Sequence, residues 1–319
     1  MRFGGLFVSS RVRARGFGLR VFGAGVAVAV FGGVLTAPPA VAEVPGSAPD
    51  EATASRYAEA RGEPVLVESA TTETDELTAN PDGSFTFRQH AQPVRVRRGD
   101  DWVPVDLSLE RRPDGSFGPK AAPLDVVFSP GGPGSADDAV ARVVRGENEV
   151  GLGWGRDLPP AVVDGTSLTY PEVLPGVDLK VDVTINGFTE VLVVKTAQAG
   201  ASAELERIAF RTHAENVRVY DGPGPGGDLM VRNESGTPVF SGDASSMWDS
   251  SGGDGENHTE GPADGDRRAQ MGVEVGADTV TVLPDQEFLA DPDTTYPVVI
   301  DPGDLTLDVG HGVMRLRSA

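Results

Sequence analysis

Residues 167–196, SLTYPEVLPGVDLKVDVTINGFTEVLVVKT, restrict the fold more than any other stretch of the chain. Val177, Leu179, Val181, Val183 and Ile185 alternate with Asp178, Lys180, Asp182, Thr184 and Asn186. Alternation with period two gives a strand one apolar and one polar face. Asn186 and Gly187 tolerate the positive φ of a tight type I′ turn, so the pattern predicts an antiparallel hairpin returning through residues 188–196. The return strand carries Val191, Leu192, Val193 and Val194 without a break, which predicts cover on both faces. A strict two-residue turn at Asn186 and Gly187 sets Glu190 opposite Val183, on the apolar face. A carboxylate there calls for a bulge that shifts the register or a place at the sheet margin.

Short strand patterns continue on both sides of this hairpin. Asn80-Pro81-Asp82-Gly83-Ser84-Phe85 and Arg112-Pro113-Asp114-Gly115-Ser116-Phe117 repeat one turn chemistry, with proline presetting φ at the first corner and Asp-Gly supplying the second. They read as two similar hairpins in one sheet. Between them, residues 93–97 and 102–109 flank a further hairpin loop at residues 98–101. Apolar runs at 124–128, 139–144, 149–154, 161–163, 208–211, 217–220, 229–232, 239–240, 271–275, 279–283 and 296–300 keep the rhythm. Strands at this spacing with Gly/Pro turns predict an all-β fold, one or more antiparallel β-sandwiches of short strands and hairpins. Residues 199–207 carry the one helical pattern of note. The expected division is a signal peptide at 1–42, a flexible linker at 43–63 with a turn or two of weak helix, and a β-hairpin subdomain at 64–130. A β-sandwich domain follows at 131–302 and an atypical tail at 303–319. Residues 249–268, DSSGGDGENHTEGPADGDRR, lack core-forming side chains and read as a disordered loop within the sandwich. The break is placed near 129–138, although strands could pair across it.

The start of the chain reads as an export signal. Arg2, Arg11, Arg13, Arg15 and Arg20 precede an apolar run at residues 21–35, and Ala40-Val41-Ala42 offers a small-residue cleavage site before Glu43. As a helix the run rises about 22 Å, short of the roughly 30 Å hydrocarbon core, which favours cleavage over anchoring. The expected location is secreted or wall-associated, with no membrane contact after cleavage. Losing the five arginines takes the formal net charge from −21 to −26. So acidic a chain repels phosphates, which argues against nucleic acid and anionic lipid as partners. Cysteine is absent, which excludes disulfides, thiol nucleophiles and Cys-zinc sites, so burial alone must hold the fold. Only three lysines accompany 24 arginines, a skew that suggests a high-G+C genome.

Candidate chemistry is sparse. Ser129-Pro130-Gly131-Gly132-Pro133-Gly134-Ser135 resembles a glycine-rich oxyanion loop, but no G-x-S-x-G elbow accompanies it. Nor does a Gly-Lys-Ser/Thr follow, as a phosphate loop requires. The histidines at 90, 213, 258 and 311 are too far apart for a helical zinc motif. Asp-rich stretches at 243–254 and 264–266 suit calcium in ligand type but lack the EF-hand spacing, so no cofactor is expected. Trp102, Trp154 and Trp248 could stack on sugars, and burial of all three would remove that mechanism. Asn257-His258-Thr259 matches a glycosylation acceptor. No catalytic, cofactor or metal residue is assigned.

Several of these segments resemble a known module. Residues 170–179, YPEVLPGVDL, with Gly187-Phe188 and Leu192-Val193-Val194-Lys195, look like the N-terminal β-rich region of large secreted proteins of high-G+C Gram-positive bacteria. In those proteins similar segments precede DNRLRE, LamG-like or RHS-repeat regions. Residues 80–85, residues 94–109 with Trp102-Val103-Pro104-Val105-Asp106, Met247-Trp248-Asp249-Ser250-Ser251, and residues 291–302 resemble it too. The resemblance spans residues 64–302. It implies a non-enzymatic surface scaffold or presentation module whose partners are downstream domains, cell-wall glycan or other surface proteins. A carbohydrate-binding module of a secreted glycan-active system is the alternative. The resemblance carries no catalytic residues. The segment ending at Pro302 usually leads into further domains, and here seventeen residues remain. A truncated or frame-shifted frame, or a stand-alone copy, is therefore expected.

Overall fold

The computed structural model describes residues 44–222, 228–253, 258–303 and 305–307. The expected signal segment with Ala40, Ala42 and Glu43, and most of the tail at 303–319, lie outside them. Within residues 43–63, expected to be a linker, a helix forms. Strand β1 (Ser47–Ala48) leads into helix α1 (Glu51–Arg61), N-capped by Asp50, whose carboxylate accepts from Thr53 N at 2.8 Å. Gly62 ends the helix with φ 70° and returns its N–H to Ala58 O, the usual left-handed stop. Ala54 and Ala58, four residues apart and so on one face, bury that face. They pack on β2 (Val65–Val67) and β3 (Asp75–Ala79), with β4 (Phe85–Gln89) completing a sheet ordered β1-β2-β3-β4. The helix stands where a turn or two of weak helix was expected, but it is longer and packed, because its buried face is alanine, too small to register as an apolar period.

A hairpin of β5 (Arg95–Arg98) and β6 (Asp101–Pro104) pairs with no other strand among the described residues. Next come β7 (Asp106–Arg111), β8 (Phe117–Ala121), β9 (Asp125–Phe128), β10 (Ala141–Arg145) and β11 (Asn148–Gly153). The two Pro-Asp-Gly-Ser turns have the same geometry. In each the glycine N–H bonds back to the first residue, at 3.0 Å to Asn80 O and 3.0 Å to Arg112 O. The aspartate accepts from the following serine N–H at 3.0 Å in both. They serve different sheets, however. The first joins β3 to β4 in the small sheet, and the second joins β7 to β8 in a larger one.

The rest of the chain comprises β12 (Val162–Asp164), β13 (Ser167–Leu174), β14 (Val177–Thr184), β15 (Gly187–Val194), β16 (Ile208–Glu215), β17 (Val217–Asp221), β18 (Leu229–Asn233) and β19 (Pro238–Gly242). Then follow β20 (Ser246–Trp248), β21 (Arg268–Gln270), β22 (Gly272–Val275), β23 (Thr279–Leu283), β24 (Val298–Asp301) and β25 (Leu305–Leu307). Among the described residues one sheet runs β22-β23-β16-β11-β10-β9-β8-β7, and a second runs β12-β13-β14-β15-β25-β19-β18-β17 with β20, β21 and β24 attached. Both are antiparallel, and they pack face to face as a sandwich. Val126, Phe128, Leu152, Phe210 and Val282 of the first meet Leu168, Tyr170, Leu179, Leu192 and Phe240 of the second in one core. Phe128 and Phe188 meet edge to face across it at 6.3 Å. The division expected between 64–130 and 131–302 is crossed, since β9 pairs with β10 from Asp125 to Val144.

The central hairpin forms with its two faces as patterned, but its turn lies one position earlier than expected, which shifts the cross-strand pairing by two residues. Thr184 pairs with Gly187 and Val181 with Glu190, so Ile185 and Asn186 are the loop. Neither has positive φ, so the turn is not type I′. Glu190 sits neither at a margin nor in a bulge; it is 1% exposed in the middle of the sheet. The return strand is covered on both faces. Leu192 and Val194 enter the main core, while Val191 packs outward against Trp248 and Val299.

Residues 249–268, expected to be a disordered loop, are organised wherever they are described. A 3-10 turn (His258–Glu260) lies against β14, where Lys180 Nζ donates to Thr259 Oγ1 at 3.0 Å. Two buried aspartates, Asp249 and Asp266, hold the flanks. The expectation failed because the order comes from carboxylates accepting backbone N–H groups, which hydropathy does not register.

Candidate functional site

The YPEVLPGVDL segment is a bonded knot at the junction of β13, β14 and β15. Register slips between Tyr170 and Leu174, and Glu172 sits there in the left-handed region with φ 56°. A non-glycine residue in that region is costly without compensation. Three bonds supply it. Glu172 N donates to Asp178 Oδ1 at 2.8 Å, Glu172 Oε2 accepts from Gly176 N at 2.7 Å, and Lys195 Nζ lies 2.6 Å from Glu172 Oε1. Lys195 also meets Asp178 Oδ1 at 2.6 Å. The Lys195 bond, then the Gly176 N–H, hold the Glu172 carboxyl below its ordinary range, and Asp178 followed by Glu172 raises the Lys195 ammonium. Tyr170 is fully buried and donates to Ser129 O at 2.6 Å; burial pushes its phenol well up. The Glu172 carboxylate, the Lys195 ammonium, Asp178 Oδ1 and the Tyr170 hydroxyl are thus each bonded to another group of the chain, although the Glu172 and Lys195 side chains stay 56% and 37% exposed.

The glycine loop is similarly closed. Gly134 N and Ala136 N both donate to Asp157 Oδ1, at 3.0 and 3.1 Å, and Gly132 N donates to Leu158 O at 2.8 Å. Ser135 Oγ donates to Gly132 O and accepts from Leu158 N. The N–H groups that an oxyanion would need thus already hold a carboxylate of the same chain. His213 and Ser129 line one groove of about 450 Å³. Among the described residues no hydrogen bond joins His213 to Ser129 or Ser135, and His213 Nε2 is buried without a partner.

The three tryptophans separate. Trp154 and Trp248 are 7% and 3% exposed. Trp154 packs edge-on to Phe210 at 5.7 Å, and Trp248 Nε1 donates to His258 O at 2.8 Å. Trp102 is half-buried, with the Arg97 guanidinium over its ring at 5.2 Å. It lines a cleft of about 480 Å³ together with Glu76, Arg88, His90 and Arg95. Arg95 and Arg88 reach Glu76 at 2.6 and 3.0 Å. Burial raises the Glu76 carboxyl, but the bonds from Arg88 and Arg95 outweigh it and leave it lowered. A flat indole beside fixed guanidinium donors is the chemistry that holds a sugar ring. Sequence reasoning named Trp102 but not its neighbours, because the cleft forms between two separate sheets.

Asp249 and Asp266 organise the loop at 249–268. Asp249, fully buried, accepts from Ser251 N, Ser251 Oγ and Arg267 N at Oδ1, and from Thr295 N at Oδ2. Asp266 accepts from Gly252 N at 2.8 Å, Ala263 N at 2.7 Å and His258 Nδ1 at 2.7 Å. In both, burial raises the carboxyl but the donors outweigh it, so both are lowered. Carboxylates saturated by N–H groups leave little for calcium. Among the described residues no group of three or more His, Asp or Glu is arranged to hold a metal ion, and no helix is long and apolar enough to cross a membrane. No family model matches the chain, and no curated protein or solved structure is found similar to it.

Proposed function

We propose that the chain is a secreted or wall-associated, non-catalytic β-rich scaffold, a presentation module of a modular surface protein. The observation that carries this reading is the engagement of Glu172, Asp178 and Lys195 with one another and the backbone. Glu172, Asp178 and Lys195, in the segments that resemble such modules, bond to one another and to the backbone around a bulge, which is structural work rather than catalytic work. The test is to purify the exported protein, read its N-terminus by mass spectrometry, and compare wild type with Glu172→Ala. Scaffold action predicts a start at Glu43, a lower melting temperature for the variant, and no turnover of ester, peptide or glycoside substrates by either protein. Turnover that Glu172→Ala abolishes at unchanged melting temperature refutes it.

A second reading, glycan binding, rests on the Trp102 cleft alone, since Trp154 and Trp248 are buried. It predicts retention of the wild type on a glycan array and loss with Trp102→Ala, with the fold unchanged by circular dichroism.

A further inference from the structure

Among the described residues β4 is the longest strand with every residue exposed, and it ends its sheet. All five of its residues are exposed, Phe85 by 42% and Phe87 by 60%. Among the described residues no strand pairs with that edge. Natural edges are blunted by proline, bulges, charged side chains or short length, and of these β4 has only Arg88, whose charge Glu76 meets at 3.0 Å. It runs in unbroken register with β3 from Phe85 to Gln89.

The ladder shows which backbone groups are open. Asn80 N donates to Ser84 O at 2.8 Å and His90 N to Thr74 O at 2.9 Å, so these pairs are the narrow, hydrogen-bonded ones. Pair types alternate along an antiparallel ladder. With Thr78 opposite Thr86 and Glu76 opposite Arg88, Thr86 and Arg88 turn their N–H and C=O groups to β3. Phe85, Phe87 and Gln89 turn theirs outward. These are odd-numbered positions symmetric about Phe87, which is the arrangement a two-fold axis through Phe87 requires. Two antiparallel copies would pair Phe87 with Phe87, and Phe85 with Gln89, each as a hydrogen-bonded pair.

Charge points to the same occupant. The chain holds 48 acidic residues, yet β4 holds none, and its one charge, Arg88, is met by Glu76 at 3.0 Å. In the symmetric register Arg88 faces Thr86 of the other copy, so no like charges oppose. The remaining long edges do not offer this: β17 ends in Asp221, and β7 carries Glu110 and Arg111.

We infer that β4 pairs antiparallel with β4 of a second copy of this chain, joining two small sheets into one continuous sheet across a Phe87–Phe87 contact. The seam is one strand and two phenylalanines per copy, well under the roughly 1,200–2,000 Å² of a standard interface. The dimer is therefore weak in solution and is favoured where copies are crowded.

The absence of cysteine makes a register-specific test available with the mature chain. Across a hydrogen-bonded antiparallel pair the Cα atoms lie about 5.5 Å apart, inside the disulfide range of about 4.4–6.8 Å. Phe87→Cys therefore crosslinks to itself under mild oxidation. Phe85→Cys, on the same face, meets its own copy four positions away, about 14 Å at 3.4 Å per residue, and crosslinks at least about tenfold more slowly. Sedimentation equilibrium to about 500 µM, a range that reaches weak complexes, shows a rising dimer fraction for wild type. Phe87→Lys, which sets two like charges together at the axis, abolishes it while the circular dichroism and melting temperature stay as in wild type. A wild type monomeric throughout, equal crosslinking of the two cysteine variants, or a dimer untouched by Phe87→Lys overturns the pairing. Capture of an extended segment from another protein by a monomeric wild type also overturns it.

Discussion

Asp249→Asn isolates the contribution of one buried carboxylate to the order of a polar loop. The substitution keeps Oδ1, with its bonds from Ser251 N, Ser251 Oγ and Arg267 N, and replaces Oδ2 by an amide that faces the Thr295 N–H. One charge-assisted bond is lost, two donors are set against each other, and the remaining bonds fall to neutral strength. Hydrogen bonds to charged groups contribute about 1.5–3 kcal/mol each, so the total cost is about 3 kcal/mol. For a domain of this size that lowers the melting temperature by about 6–12 °C. Urea titration followed by tryptophan fluorescence reads the loss, because Trp248 adjoins Asp249 and is itself only 3% exposed. The sign with pH is fixed. The folded carboxyl lies below the ordinary 3.8, so its stabilisation is present above that value and is lost as pH falls through the folded pKa. The gap between wild type and variant therefore closes in acid. A variant within about 0.5 kcal/mol of wild type at neutral pH, the range of an ordinary surface change, refutes the assignment of loop order to Asp249.

Asp301 behaves oppositely: burial, then Asp243, push its carboxyl up to about 6, against a restraining bond from Gly303 N. It destabilises the folded state as pH rises from about 4 to 6, so Asp301→Asn gains about 2–3 kcal/mol over wild type at pH 7 and nothing below pH 4, read by urea midpoints across pH. Tyr170→Phe strands the buried Ser129 carbonyl and costs about 1–2 kcal/mol in the same assay. Gly131→Ala costs more melting temperature than Gly132→Ala. Both glycines have positive φ, but a Cβ at Gly131 falls 2.1 Å from Pro159 O, and at Gly132 it meets nothing.

The strand faces were legible in the sequence and the register was not. Alternation places Val177, Val181 and Glu190 on the inner face, and a shift of two residues leaves every one of them there. Patterning therefore cannot tell a turn at Asn186 and Gly187 from the observed turn at Ile185 and Asn186. Helix α1 was legible only as a turn or two of weak helix, because its buried contact is Ala54 and Ala58, although Asp50 and Gly62 stand at the capping positions. The Glu172 knot was legible as a resemblance alone. Its meaning depends on a left-handed glutamate and on Lys195 arriving from another strand, and neither follows from local propensity. The paired Pro-Asp-Gly-Ser turns give a related lesson. Local chemistry specified both corners, while the sheets they entered were set by distant partners.

The separate core beneath α1 consists of Ala48, Ala54, Ala58, Val65, Val67 and Ala79. Alanine contributes a single methyl, so this cluster resists opening far less than the valine-, leucine- and phenylalanine-filled sandwich behind it. Amide protons of α1 and β2 should exchange with solvent long before those of β14 and β15. Under tension applied from the N-terminal side, the first segment to unravel is then this alanine-seated turn of chain, which would lengthen the molecule while the sandwich stays shut.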